Sequence, residues 1–342
     1  SEAGFVVQQS RLHGGLNTAN NVQPISATMS AEVLTMSFLS GRSRVIALIC
    51  TAAMGWIGTG CVCRPGAGGC EDYETSGDYE LVRVLEVAGR QGIATDGERY
   101  FVSGSTAFYV YSRDGELLES NEDPFLELEK PANHIGDISV FDGELFAGVE
   151  WFVDGRGRDI QIAVYDAETL RYKKAIDWEP ESGQVEVSAL AVDAANGLVW
   201  TTDWVDGRYI YRYDMATGTY AGKLHLRPVP QWQQGIAAFD GSLYITADDG
   251  DAEDDEVDNL WRLDPETGAT SAYVHHEKAF AEFRRFGEIE GLDFDPENGE
   301  MLVLANRGKR IVLGMPTGLY PGYDREIHEV YVYRIHPQIL VE

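Results

Sequence analysis

Gln234-Gly235-Ile236-Ala237-Ala238-Phe239-Asp240-Gly241 opens the stretch, residues 234–270, whose reading decides the fold. It is a short apolar run ended by an Asp-Gly turn. Ser242-Leu243-Tyr244-Ile245-Thr246 follows, rich in β-formers, then an acidic insertion, then Leu260-Trp261-Arg262-Leu263 closed by Asp264-Pro265-Glu266-Thr267-Gly268. Apolar runs of four to eight residues punctuated by such turns read as strands joined by hairpins.

The pattern recurs. Its first copies open at Gln91-Gly92-Ile93-Ala94, Gly136-Asp137-Ile138-Ser139 and Ser188-Ala189-Leu190-Ala191, and its last at Glu290-Gly291-Leu292-Asp293. The central aliphatic residues Ile93, Ile138, Leu190, Ile236 and Leu292 stand 45, 52, 46 and 56 residues apart. A unit of that length, with three or four strands and no helical periodicity, is a propeller blade. One such sheet cannot cover both faces, so blades stack around an axis. The expectation is an all-β, five-bladed propeller over residues 79–337. The fifth copy supplies three strands, and the alternating segment Tyr79–Val87, which precedes copy one, completes it. Pairing the two ends would remove open sheet edges.

Before the repeats the chain changes character twice. Residues 1–35 are rich in Ser, Asn, Gln, Ala and Gly without periodicity and read as an unstructured, non-native extension. From Met36 a short basic segment leads into the apolar run Val45–Gly58 and the small residues Thr59-Gly60, so residues 36–60 read as an export signal. The apolar run is shorter than the ~20 residues that span a bilayer. Ile57-Gly58-Thr59-Gly60-Cys61 resembles the lipobox of bacterial lipoproteins, with Gly58 where that family carries an aliphatic residue. The resemblance implies a lipid on Cys61, residues 61–78 as a tether, and an extracytoplasmic domain held at the cell envelope only through that lipid. With Cys50 leaving in the signal and Cys61 acylated, Cys63 and Cys70 remain, either as a disulfide or as free thiols, with Cys-x-Cys also fitting a metal clip.

The chain carries 56 Asp and Glu against 27 Lys and Arg, a formal net charge of −29. That field opposes nucleic acid and anionic lipid and suits cations or basic partners. The partner expected is an unnamed small molecule or protein, and the chain a monomer.

Sites in propellers lie where innermost strands meet the central channel. Residues just before the aligned aliphatic positions place His134, Glu186, Gln91, Gln234, Glu288 and Glu290 at one mouth, with Arg90 and Trp232 near them. A His among carboxylates can bind a divalent cation or move protons. The same residues would also serve as the polar lining of a wet channel. Glu150, Asp203, Asp248, Asp249 and Asn306 end the second strands, where a polar residue interrupts an apolar run and needs a partner. They read either as ligand-binding groups or as caps between blades. The insertion Asp248–Asp258 has eight acidic groups in eleven positions, suited to Ca²⁺ or to a solvated loop. No nucleophile elbow, His-Glu-x-x-His motif, phosphate loop or dinucleotide fingerprint occurs.

The turns Asp166-Ala167-Glu168-Thr169, Asp214-Met215-Ala216-Thr217-Gly218 and Asp264–Gly268, each after a Tyr- or Trp-rich strand, resemble YVTN-type and quinoprotein-amine-dehydrogenase-like propellers. Glu290–Asp295 resembles the opening motif of gluconolactonase-like and phytase-esterase-like propellers, and the gluconolactonase-like resemblance implies Glu290 as a metal ligand. Two functions follow as expectations. One is a surface-anchored propeller that binds a ligand or partner with Ca²⁺ or another divalent cation. The alternative is a metal-dependent hydrolase or lactonase with its ion held by Glu290, Glu288, Glu186 and His134.

Overall fold

Twenty-three strands, nearly all antiparallel to their neighbours, are laid out in chain order in the computed structural model, which describes residues 60–63, 70–73, 78–250, 256–266, 268–283, 287–308 and 326–336. The extension 1–35, the export segment apart from Gly60, and residues 251–255 of the acidic insertion lie outside the described residues. β1 (Gly60–Cys63) and β2 (Cys70–Tyr73) form a hairpin whose backbone register sets Cys63 opposite Cys70. β3 (Tyr79–Val87) precedes the first blade.

Blade one is β4 (Gly92–Thr95), β5 (Arg99–Ser103), β6 (Phe108–Ser112) and β7 (Leu117–Asn121). Blade two is β8 (His134–Phe141), β9 (Glu144–Val153), β10 (Arg156–Asp166) and β11 (Tyr172–Asp177). Blade three is β12 (Leu190–Asp193), β13 (Leu198–Thr202), β14 (Tyr209–Asp214) and β15 (Tyr220–Arg227). Blade four is β16 (Gln233–Phe239), β17 (Ser242–Ala247), β18 (Asn259–Leu263) and, beyond the short β19 (Ser271–Tyr273), β20 (His275–Ala279). β19 leaves its own blade and adds a parallel fifth strand to β15. Blade five is β21 (Gly287–Asp295), β22 (Glu300–Gly308) and β23 (Glu326–Ile335), completed by β3.

The innermost strands follow one another around the axis as β4, β8, β12, β16 and β21, with β21 returning to β4. The molecule is a five-bladed β-propeller. Its closure is the one the sequence predicts: β3 runs antiparallel to β23, from His328 opposite Val87 to Ile335 opposite Tyr79.

Local chemistry accounts for the blades. Asp142-Gly143, Asp154-Gly155 and Asp240-Gly241 all have positive φ at both residues, the two-residue turn whose twist matches a hairpin. Asp and Gly tolerate that conformation where a branched side chain would not. Five hydrophobic clusters fill the five interfaces between blades. Phe108 packs on Tyr165 between blades one and two, and Trp200 with Ile245 sits between three and four. Tyr211 with Phe146 sits between two and three, Phe294 with Tyr244 between four and five, and Tyr100 with Val332 between five and one. Each fully buried aliphatic or aromatic residue of this kind contributes roughly 1.5–3 kcal/mol. Stability therefore lies between blades, and the ends of the innermost strands are left to polar chemistry.

Candidate functional site

The innermost strands start at one end of the ring, the inlet, and finish in hairpin turns at the other. Around the inlet the sequence-predicted residues gather into two groups.

The first group joins blades two and three. Antiparallel register sets His134 directly across from Glu150. The Glu150 carboxylate, wholly buried, meets His134 Nδ1 at 3.2 Å with one oxygen and accepts the Val187 N–H at 3.0 Å with the other. Val187 belongs to the next blade, so Glu150 ties the two together. Asp203, at the end of β13, accepts the N–H groups of Val185 (2.9 Å) and Glu186 (3.0 Å) on one oxygen and the Tyr211 hydroxyl (2.8 Å) on the other. Glu186 is 4% exposed and accepts the Trp204 N–H at 3.1 Å. Burial, then the charge of Glu150, push the Glu186 carboxyl well above the ordinary range. Burial also raises Asp203, to about 6, against the pull of its three hydrogen bonds.

The second group joins blades four, five and one. Asn306, fully buried, donates through its amide to Glu290 and to the Arg90 carbonyl (2.9 Å), while its oxygen faces His328 Nδ1 at 2.7 Å. Glu290 is 2% exposed. Burial and the neighbouring Glu288 raise its carboxyl well above the usual range, and Arg90 only partly counters them. Glu288 lies 3.6 Å from the Arg90 guanidinium and accepts a 3.5 Å bond from Gln234. Gln91 contributes its backbone carbonyl, which accepts the Gly291 N–H at 3.1 Å. Asp249 accepts from the Asn259 amide (2.8 Å) and the Trp261 indole (2.7 Å), anchoring the acidic insertion.

The side chains proposed to share an ion, Glu290, Glu288, Glu186 and His134, thus divide by their partners between these groups. Among the described residues, no three His, Cys, Asp or Glu side chains converge closely enough to hold a metal ion. Both readings of the second-strand residues have content here. Glu150, Asp203 and Asn306 do cap backbone groups, two of them across a blade boundary, and Glu150 and Asp203 also bring ionisable groups to the inlet.

An aromatic wall stands beside them. Trp204 and Trp232 lie with ring centroids 4.9 Å apart, and His134 stacks obliquely on Phe152 at 5.3 Å. Trp232 is 37% exposed with φ of 55°, a left-handed backbone that a bulky side chain adopts only under strain. Its carbonyl accepts the Asp248 N–H at 3.0 Å, which ties the first residue of the insertion to this end of the ring. The buried Trp204 indole N–H and Arg90 Nε–H find no partner within the described residues.

Sequence reading missed the residue on the axis. Asp137 occupies the column held in other blades by Gly92, Ala189, Gly235 and Gly291. Its carboxylate accepts N–H groups from three blades: Ile138 (2.9 Å), Ile93 (3.2 Å) and Ile236 (3.3 Å). A Cβ placed on Gly291 would lie 2.5 Å from Asp137 Oδ1. The small residues are what admit this carboxylate, and it closes the channel between the inlet and the turns. Burial raises its pKa well above the usual range. The signal available in the sequence was the one acid in a column of Gly and Ala.

No protein-family model matches the chain, nor does any curated protein. Among solved structures it is similar to hydrazine synthase from Kuenenia stuttgartiensis, at 11% identity and a TM-score of 0.39. The match covers 67% of this chain and 58% of that protein, so the chain spans less than two thirds of its length. A likeness of this order says nothing of chemistry.

Proposed function

We propose that this chain is an exported propeller, anchored at the cell envelope through Cys61, that binds a ligand or protein partner at the inlet. The observation that carries this reading is Trp232. A half-exposed tryptophan held in a left-handed backbone, beside Trp204 with its unpartnered indole N–H, is strain kept at a binding surface rather than relieved. Gln91, Gln234, Glu150, Asp203 and Asn306 supply the polar edge of the site. The backbone register of Cys63 and Cys70 supports a disulfide staple in the tether.

A divalent cation such as Ca²⁺ belongs to this reading as a partner of the Glu288–Glu290 group, whose hard oxygen donors suit it. A second reading, a metal-dependent hydrolase or lactonase at the same mouth, draws on Glu186 and Glu290: carboxyls raised well above their ordinary range can act as general acids near neutral pH beside the ion.

Thermal melting of the full chain in EDTA and in Ca²⁺, with wild type and Glu290→Gln, tests the cation. Ca²⁺ at 100-fold over its dissociation constant adds ~2.7 kcal/mol if it binds only the native state. A rise abolished by Glu290→Gln supports the cation at this group, and no rise with any divalent metal removes both the cation and the hydrolase. A small-molecule library screened by tryptophan emission tests the site itself. Hits are expected to weaken in Trp232→Ala, and hits that all survive that change would move the site elsewhere.

A further inference from the structure

Asp137 separates the inlet from a second concavity at the turn end of the ring. There the hairpin turns of several blades enclose a cavity of about 600 Å³. That is the size of a pocket for a drug-sized molecule and far more than a bare ion needs. Its lining holds seven carboxylates and no Lys, Arg or His side chain.

Three of those carboxylates are already engaged. Asp96 is tied to Arg99, Asp295 to Arg113, and Asp193 to Asn196 and the Trp200 indole. The other four are Asp142, Asp240, Glu297 and Asp293. Among the described residues, no hydrogen bond or ion pair holds the side chains of Asp142, Asp240 or Glu297. Asp293 lies deeper. Surrounded by protein yet still accessible to solvent, it is placed as a cavity floor is placed. Two backbone N–H groups orient it, Thr95 from the neighbouring blade and Phe294 from its own strand, both at 2.8 Å. Burial raises its carboxyl to about 7.

One wall is aromatic. Phe239 and Phe294 stack face to face, centroids 4.5 Å apart and planes 8° from parallel, and Phe141 is 39% exposed at the rim. Carboxylates with no hydrogen-bonded cationic partner, beside the exposed Phe141 and the part-buried Phe239, favour an ammonium group with an apolar body. The charge is met by oxygen and by ring faces, and the body by the phenylalanines.

We propose that the turn-end cavity binds a small organic cation, its ammonium held by Asp293, Asp142 and Asp240 and its apolar part against Phe141 and Phe239. This site is distinct from the inlet and does not depend on what the inlet binds.

Isothermal titration of the full chain with benzylamine, and with benzyl alcohol as its uncharged counterpart, tests the proposal. Benzylamine is expected to bind one to one and benzyl alcohol to give no saturable heat. The double variant Asp142→Asn/Asp240→Asn is expected to weaken benzylamine by about fivefold or more, which is about 1 kcal/mol. Asn tolerates the positive φ of both turn positions, so this variant keeps the fold. Asp293→Asn is expected to weaken binding further; should it fail to fold, the rim variant decides alone. The proposal is overturned if millimolar benzylamine gives no saturable binding, if benzyl alcohol binds equally, or if the rim variant binds as wild type does.

Discussion

The two ends of the ring use carboxylates in opposite ways. At the inlet, Glu150, Asp203 and Glu290 are buried and bonded to backbone or amide N–H groups, Glu150 across a blade boundary. At the turn end, Asp142 and Asp240 stand exposed on two-residue turns, and Asp293 is set deeper than either. The inlet groups hold blades in register and raise the cost of ionisation. The rim groups leave both backbone and stability almost untouched, so their sequence is free to answer to a ligand. A residue at the inlet changes the fold and the site together, whereas a residue at the turn end changes the site alone.

The largest break in that comparison comes from two glycines of one strand pair. At Gly136, near the inlet, a Cβ would press on the Val187 carbonyl oxygen and lie 2.6 Å from that of Ser188, both backbone atoms of the next blade. Gly136→Ala is expected to cost ~3 kcal/mol or more, lowering the melting midpoint by roughly 10 °C. Gly143, in the turn, has nothing within 4 Å of its would-be Cβ and pays only for its φ of 72°. Gly143→Ala is expected to cost about 1 kcal/mol. Equal midpoints for the two variants would refute the asymmetry.

Acidity sharpens the comparison on a smaller scale. Asp203 has a folded pKa of about 6, above its ordinary value of 3.8, so it binds its proton more tightly folded than unfolded. Its contribution is therefore full below about pH 4 and lost as pH rises through 6. Asp293, at about 7, acts in the same direction, as do Glu186, Glu290 and Asp137. The midpoint is expected to fall as pH rises from about 5 to 8, and Asp203→Asn to remove about 1–3 kcal/mol of that dependence. A wild-type slope unchanged in Asp203→Asn would show that its burial is relieved by water.

The smallest effect is expected at the rim. Asp142→Asn and Asp240→Asn should each leave stability within about 0.5 kcal/mol of wild type, measured by urea unfolding. A larger loss from either would make these turns structural after all.

The blades were legible because their cause is local. Alternation in Tyr79–Val87, the aligned column from Ile93 to Leu292, and Asp-Gly turns after apolar runs each follow from a few neighbouring residues. They led to the ring and its closure through β3 and β23. At the inlet, Glu150, Asp203 and Asn306 were visible as polar residues interrupting apolar runs, yet not their partners, which lie in other blades or across the sheet. Asp137 and Asp293 stayed hidden for the same reason. Their surroundings exist only once five inner strands meet, and nothing in Gly136-Asp137-Ile138 or Leu292-Asp293-Phe294 alone says that three blades, or a neighbouring blade's Thr95, will donate to them.

The seam between β3 and β23 has a mechanical meaning. Tyr79 and Ile335 face each other at the same end of that antiparallel pair, with Val87 and His328 at the other. A force applied between residues 79 and 335 therefore loads the outermost rung of the ladder first and passes to the next only when that one yields. Such a pull peels the ring open like a zip, at low tension, whereas a pull on residues 87 and 335 would load the rungs together in shear.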